Sequence, residues 1–127
     1  MNADHPNAQT LRETMEHMQA GPQVMADHLT DDVVWHQVGE VEPLRGKQAV
    51  LDRLQSMSDQ VTFGMEIYDV AGDDAVVVAY GRAHMTAGDR STDYDAVEIH
   101  RMRDGKVAER YAMVGDTEAM NAFWSSM

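Results

Sequence analysis

Tyr80, Arg82 and His84 alternate along one run of the chain, with Ala79, Gly81 and Ala83 between and behind them. In an extended segment that spacing puts a phenol, a guanidinium and an imidazole on one face and small residues on the other. Such a row suits either solvent or a polar cavity, and periodicity does not choose between them. A second set lies in YDAVEIHRMRDGKVAERYAMVGD, from Tyr94 to Asp116, where two alternating runs flank Asp104-Gly105 and predict a β-hairpin. The turn decides which side chains share a face. A loop of Arg103, Asp104 and Gly105 sets Met102 opposite Lys106 and Glu98 opposite Arg110. That register is preferred to a tighter loop of Asp104-Gly105 alone, which would pair Glu98 with Tyr111 and Ile99 with Arg110. One face then carries Tyr94, Ala96, Glu98 and His100 against Val114, Ala112, Arg110 and Ala108; the other carries Val97 and Ile99 near Tyr111 and Met113.

The chemistry open to these residues depends on their company. If His36, His84, Glu98 and Arg110 converge in a water-poor cavity, the set can move a proton and stabilise the negative charge that results. If they do not, the polar stripe is the wet side of a half-exposed sheet and His36 is a hydrogen-bonded strand residue. No close HxxxH or HxH spacing favours a metal. Gly39, Gly46 and Gly72 form no phosphate-cradling motif, and no GxSxG sequence occurs.

The elements that must position these residues follow from patterning. Leu11, Met15 and Met18 share a face of a first helix that stops at Gly21, and Pro22 opens a short helical turn through Leu29, together a lid-like amphipathic hairpin. Asp31 to Gly39 reads as a strand, followed by a loop with Pro43 and Gly46. Val50, Leu51, Leu54 and Met57 then repeat at helical spacing until near Ser58. Val61 to Val70, Ala75 to Thr86, Thr92 to Arg103 and Lys106 to Gly115 are successive strands, and Asp116 or Thr117 caps a final helix with Met120, Phe123 and Trp124. The order predicts one α+β domain over residues 1–127, in which helices cover one face of a curved antiparallel sheet.

Composition narrows the function. Ten Lys+Arg against 22 Asp+Glu give a formal charge of −12, so a nucleic-acid partner is not expected. The chain has no cysteine, which removes disulfides, thiolate nucleophiles and cysteine zinc sites. MNADHPNAQT has neither a basic nor an apolar leader segment and no run approaches membrane-spanning length, so a cytoplasmic protein without a membrane partner is expected. Eleven methionines, adaptable fillers of irregular space, carry no functional weight in this reading.

LTDDVVWHQVGEVEPLRGKQAVLDRL, followed by YDAVEIHRMRDGKVAERYAMVGD, resembles the SnoaL-like polyketide cyclases of the nuclear transport factor two-like superfamily, which also holds ketosteroid isomerases and limonene epoxide hydrolases. The resemblance covers nearly the whole chain. It implies a cone in which a bent sheet and its helices enclose a deep pocket, in a homodimer joined through the outer sheet face, with Val97, Ile99, Tyr111 and Met113 toward the partner. It implies that His36 takes the general-base position, that Glu98 falls where the isomerases place a protonated acid, and that Arg82 and His84 resemble the arginine and aspartate of the epoxide hydrolases. Ala112 stands where cyclases and epoxide hydrolases keep a last-strand aspartate, and the first-helix tyrosine of the isomerases has no match, since Arg12 and Met15 are what that region offers. In this family the polar stripe would line the cavity. The resulting expectation is a small enzyme without cofactor or metal, acting by acid/base chemistry on a mostly apolar ligand with a carbonyl or epoxide. His36 would accept the proton, Glu98 would donate or orient, and Arg82 and Tyr80 would polarise an oxygen. His84 completes the catalytic set, and Trp35, Tyr80, Tyr94, His100, Arg110, Ala112 and Val114 would contact the ligand. A binding module of the same fold is the alternative.

Overall fold

The computed structural model describes residues 1–125. Helix α1 (Pro6–Glu16) leads through two 3₁₀ turns, Met18–Ala20 and Pro22–His28, into strand β1 (Leu29–Trp35). Gly21, at φ 113°, makes the break between the two turns where a side chain would be strained. A two-residue strand β2 (Leu44–Arg45) and helix α2 (Lys47–Gln60) follow. Strands β3 (Thr62–Gly72), β4 (Val76–Ala87), β5 (Arg90–Arg103) and β6 (Lys106–Val114) form a meander, and helix α3 (Thr117–Ser125) closes the described chain. Asp116 caps α3, its Oδ1 accepting from the Ala119 amide at 2.9 Å. No described helix is long and apolar enough to cross a membrane.

The six strands make one sheet in the order β2-β1-β6-β5-β4-β3. All neighbours are antiparallel except β1 and β6, which run parallel. That pairing joins the first strand to the last and brings Trp35 beside Arg110. Strand β1 ends at Trp35, short of the expected Gly39, because the chain turns there: the Glu40 amide donates to the Gln37 carbonyl and Gly39 sits at φ 82°. The expected loop around Pro43 and Gly46 contains β2, which pairs with the end of β1.

The hairpin that fixes the site differs from its expected form. Its loop is the two residues Asp104-Gly105, both at positive φ (53° and 79°), the geometry that twists with its flanking strands. Arg103 pairs with Lys106 and Met102 with Val107, not Lys106. A bulge at Ala108 then advances the register by one, so Ala108 leaves the paired row, His100 faces Arg110 and Glu98 faces Ala112. The bulge restores the parity that a longer loop would have given. Tyr94, Ala96, Glu98, His100, Arg110, Ala112 and Val114 therefore do share one face, although Glu98 meets Arg110 diagonally and not directly across.

Two apolar clusters fill the concave side. One gathers Leu11, Met25, Leu29, Val33, Trp35, Val50, Val77 and Val107; the other gathers Val61, Met85, Met120 and Phe123. A second bulge, at Tyr68 on β3, lies where β3 presses against β4. Gly81 sits beside it, and a Cβ there would collide with the Glu66 carbonyl oxygen. Only glycine allows the two strands that approach.

Candidate functional site

Between the two apolar clusters lies a hollow of about 910 Å³, within the range of sites that hold small organic molecules. Its wall includes Leu11, Met15 and Met18 from the N-terminal hairpin, Leu54 and Met57 from α2, and Met120 and Trp124 from α3. Seven of the eleven methionines line it. Unbranched thioethers repack around varied shapes and make favourable contacts with aromatic rings, so this part of the wall adapts to what it holds. The methionine count therefore has a structural use that composition alone did not reveal.

One region of the wall is ionic. Glu98 and Arg110 are each 13% exposed, and Arg110 Nε donates to Glu98 Oε1 at 3.0 Å. The guanidinium is held from three further directions. Its Nη1 donates to the His36 carbonyl at 3.0 Å and to Gln37 Oε1 at 3.3 Å, and its Cζ lies 4.5 Å from the centre of the Trp35 ring. The Trp35 indole in turn donates to Gln37 Oε1 at 3.2 Å. This stacking, worth about 0.5–2 kcal/mol, adds to a fork already fixed in orientation.

His100, 2% exposed, lies beside Glu98 with Nε2 3.4 Å from Oε1, while its Nδ1 is buried with no hydrogen-bond partner among the described residues. Both neighbours thus engage Oε1, and no described group bonds Oε2. Burial pushes the Glu98 carboxyl up, but the charge of Arg110 and the hydrogen bonds from His100 and Arg110 outweigh it and hold the group at about 2. Glu98 is a carboxylate at any ordinary pH. Tyr94, on the same face, is pushed up to about 12 by burial and by the charge of Glu98, against the opposing effect of Arg110. The wall therefore offers a fixed acceptor and a phenol that keeps its proton.

The expected site residues divide. Glu98, Trp35, Tyr94, His100, Arg110, Ala112 and Val114 all line the hollow. Tyr80, Arg82, His84 and His36 do not. The expectation that the Tyr80-Arg82-His84 stripe faces the cavity is corrected by register: Arg82 pairs with Asp95 and His84 with Asp93, residues that share their face with Val97 and Ile99, not with Glu98. Arg82 donates to Asp95 at 3.0 Å and His84 contacts Asp93, all of them about half exposed. It is Ala79, Ala83 and Met85 that turn inward on β4. His36 is corrected in the same way. Trp35 points in, so His36 points out, where its ring stacks on Tyr111 at 4.3 Å and Nε2 lies 2.9 Å from Glu109 Oε2. The hydrogen bonds from His36 and Tyr111 hold Glu109 below the usual carboxylate range.

Gln37 belongs to the site and was not anticipated. Val33, Trp35 and Gln37 continue one period-two row, and that row is the signal that marks it.

A family model described as a SnoaL-like domain matches residues 11–110. No curated protein matches the chain. Among solved structures, Bal32a from a soil-derived mobile gene cassette is similar with a TM-score of 0.84 at 20% identity, covering 94% of this chain and 96% of that one. A protein of unknown function with a cystatin-like fold from Xanthomonas campestris has a TM-score of 0.81 at 22% identity, covering 98% of both chains. An LEH-like epoxide hydrolase from M. tuberculosis has a TM-score of 0.79 at 16% identity, covering 94% and 90%. At these identities the likeness is one of fold.

Proposed function

Because this chain belongs to the SnoaL-like domain family, we propose that its hollow binds a mostly apolar organic molecule whose one polar end is met by Glu98, Tyr94 and Arg110. The observation that carries this reading is the pairing of a methionine-rich wall with the enclosed Glu98–Arg110 cluster. The similarity of fold to an LEH-like epoxide hydrolase supports a small molecule as the ligand. Acid/base catalysis is a second reading, favoured by the Glu98 carboxylate and the Tyr94 phenol on one face of β5 in the wall of the hollow. In it, the Glu98 carboxylate orients or receives a proton and the Tyr94 hydroxyl supplies one to an oxygen. His36, Arg82 and His84 have no part in either reading. Calorimetry with a panel of alicyclic and aromatic ketones, alcohols and epoxides tests the first: at least one should bind the native protein, and Glu98→Gln should weaken it by tenfold or more while His36→Ala leaves it unchanged. Turnover of the bound compound tests the second, with Glu98→Gln lowering kcat more than it raises KM. Equal effects of the two variants would remove Glu98 from the site.

We also propose that the protein is a cytoplasmic homodimer. Exposed Tyr68, Tyr80, Tyr111 and Met113 lie on the outer face of the sheet and favour that face as the interface. Sedimentation equilibrium should return twice the 14.2 kDa chain mass; a monomer at high concentration would end this part of the proposal.

A further inference from the structure

The charged groups that line the hollow are Glu40, Arg53, Glu98 and Arg110, together with the His100 imidazole. Each cation among them is already matched: Arg110 by Glu98, and Arg53 by Glu40 on the half-exposed part of the wall. Among the described residues no guanidinium in the wall lacks a carboxylate partner, and the chain as a whole carries −12, a field that repels an anion. Glu98, by contrast, has an acceptor to spare. Its Oε1 serves both Arg110 and His100, while Oε2 has no described partner in a cluster that is otherwise almost fully enclosed. Oε2 is not sealed off as His100 Nδ1 is, and Glu98 lines the hollow, so this charged acceptor is open to a ligand that supplies a donor.

We infer that the ligand of this hollow is electrically neutral and carries a hydroxyl or enol that donates a hydrogen bond to Glu98 Oε2, so that carboxylates and phosphates of the same shape are rejected. The inference rests on the reading of the hollow as a ligand site. It adds the sense of the polar contact: the protein accepts and the ligand donates. Arg110 then acts as the counter-charge that keeps Glu98 an acceptor, and the flexible methionines fit the apolar body without choosing the head group.

Matched probes separate the possibilities. Binding of 2-naphthol and of 2-naphthoate is measured by isothermal titration calorimetry at pH 7, where the first is neutral and the second an anion on the same ring system. In the native protein naphthol should bind about tenfold or more tightly than naphthoate, a gap equal to about 1.4 kcal/mol. In Glu98→Gln, which leaves Arg110 without its counter-charge, the order should invert as naphthoate gains a guanidinium. Asp95→Asn, on the outer face, should keep the native order. Naphthoate binding as well as naphthol in the native protein overturns the inference while leaving the hollow a ligand site. Heat from neither probe, nor from the ketone and alcohol panel, overturns the ligand-site reading itself. Should Glu98→Gln not fold, the native comparison decides alone.

Discussion

The two faces of the same sheet carry the same kinds of ion pair and treat them oppositely. On the concave face Glu98 and Arg110 are enclosed, share one geometry with His100, Gln37 and Trp35, and border a hollow. On the convex face Arg82–Asp95 and His84–Asp93 lie directly across the β4–β5 ladder with half of each side chain in water. Residue type does not distinguish them; enclosure does. In water an ion pair adds roughly 0–1 kcal/mol, because solvent screens it and the side chains lose freedom. Enclosed, the pair is costly to assemble, and breaking it strands a charge.

Substitution should expose that contrast most strongly at Glu98. Glu98→Ala leaves Arg110 uncompensated, and the expected loss is about 3–5 kcal/mol in urea denaturation, against under about 1 kcal/mol for Asp95→Ala. Similar losses for the two would show that the inner cluster is as wet as the outer one.

Next comes pH. Glu98 titrates at about 2 in the folded chain, below the 4.5 of an unperturbed carboxyl. Its contribution is present above pH 4.5 and is lost as pH falls toward 2, on the order of 3 kcal/mol in total. Tyr94, at about 12 against an ordinary 10, has the opposite sense: its contribution is full below pH 10 and fades as pH rises toward 12. A profile of unfolding free energy against pH should therefore fall at both ends, and Glu98→Gln should flatten the acid limb selectively. An unchanged acid limb would place the titrating group elsewhere.

Smaller effects belong to the outer face. His36→Ala removes the stack on Tyr111 and the contact with Glu109, and about 1 kcal/mol is expected from thermal or urea unfolding, with ligand affinity intact. Arg82→Ala should leave the unfolding transition almost unmoved and ligand affinity within twofold. A large fall in ligand affinity from either would bring the convex face into the site.

The element order, the hairpin faces and most of the wall were legible because alternation sorts residues into two sets wherever a turn can be counted. Alternation does not say which set looks inward. For β4 the pattern alone leaves solvent and cavity open and the family resemblance turns the large polar set inward, whereas Ala79, Ala83 and Met85 are the buried set. The deciding signal was present in the β4–β5 turn. With Gly88-Asp89 alone as the loop, Ala87 meets Arg90, and the opposite charges of Arg82–Asp95 and His84–Asp93 fall into register on the face away from Glu98. His36 was harder to place, since its strand joins β6 in parallel from a distant part of the chain and no local turn fixes that register. The unbonded Oε2 of Glu98 and the idle Nδ1 of His100 are properties of packing, which no spacing rule records.

The bulge at Ala108 gives the last hairpin an odd tally: a tight turn plus one surplus residue. The ladder therefore holds one residue more than its pairing needs. Substitutions along β6 alter individual side chains one at a time, and loss of the single codon for Ala108 would turn the ladder regular, with Glu109 still opposite Arg101 and Arg110 still opposite His100, so the chamber would keep its lining and only the local twist would change.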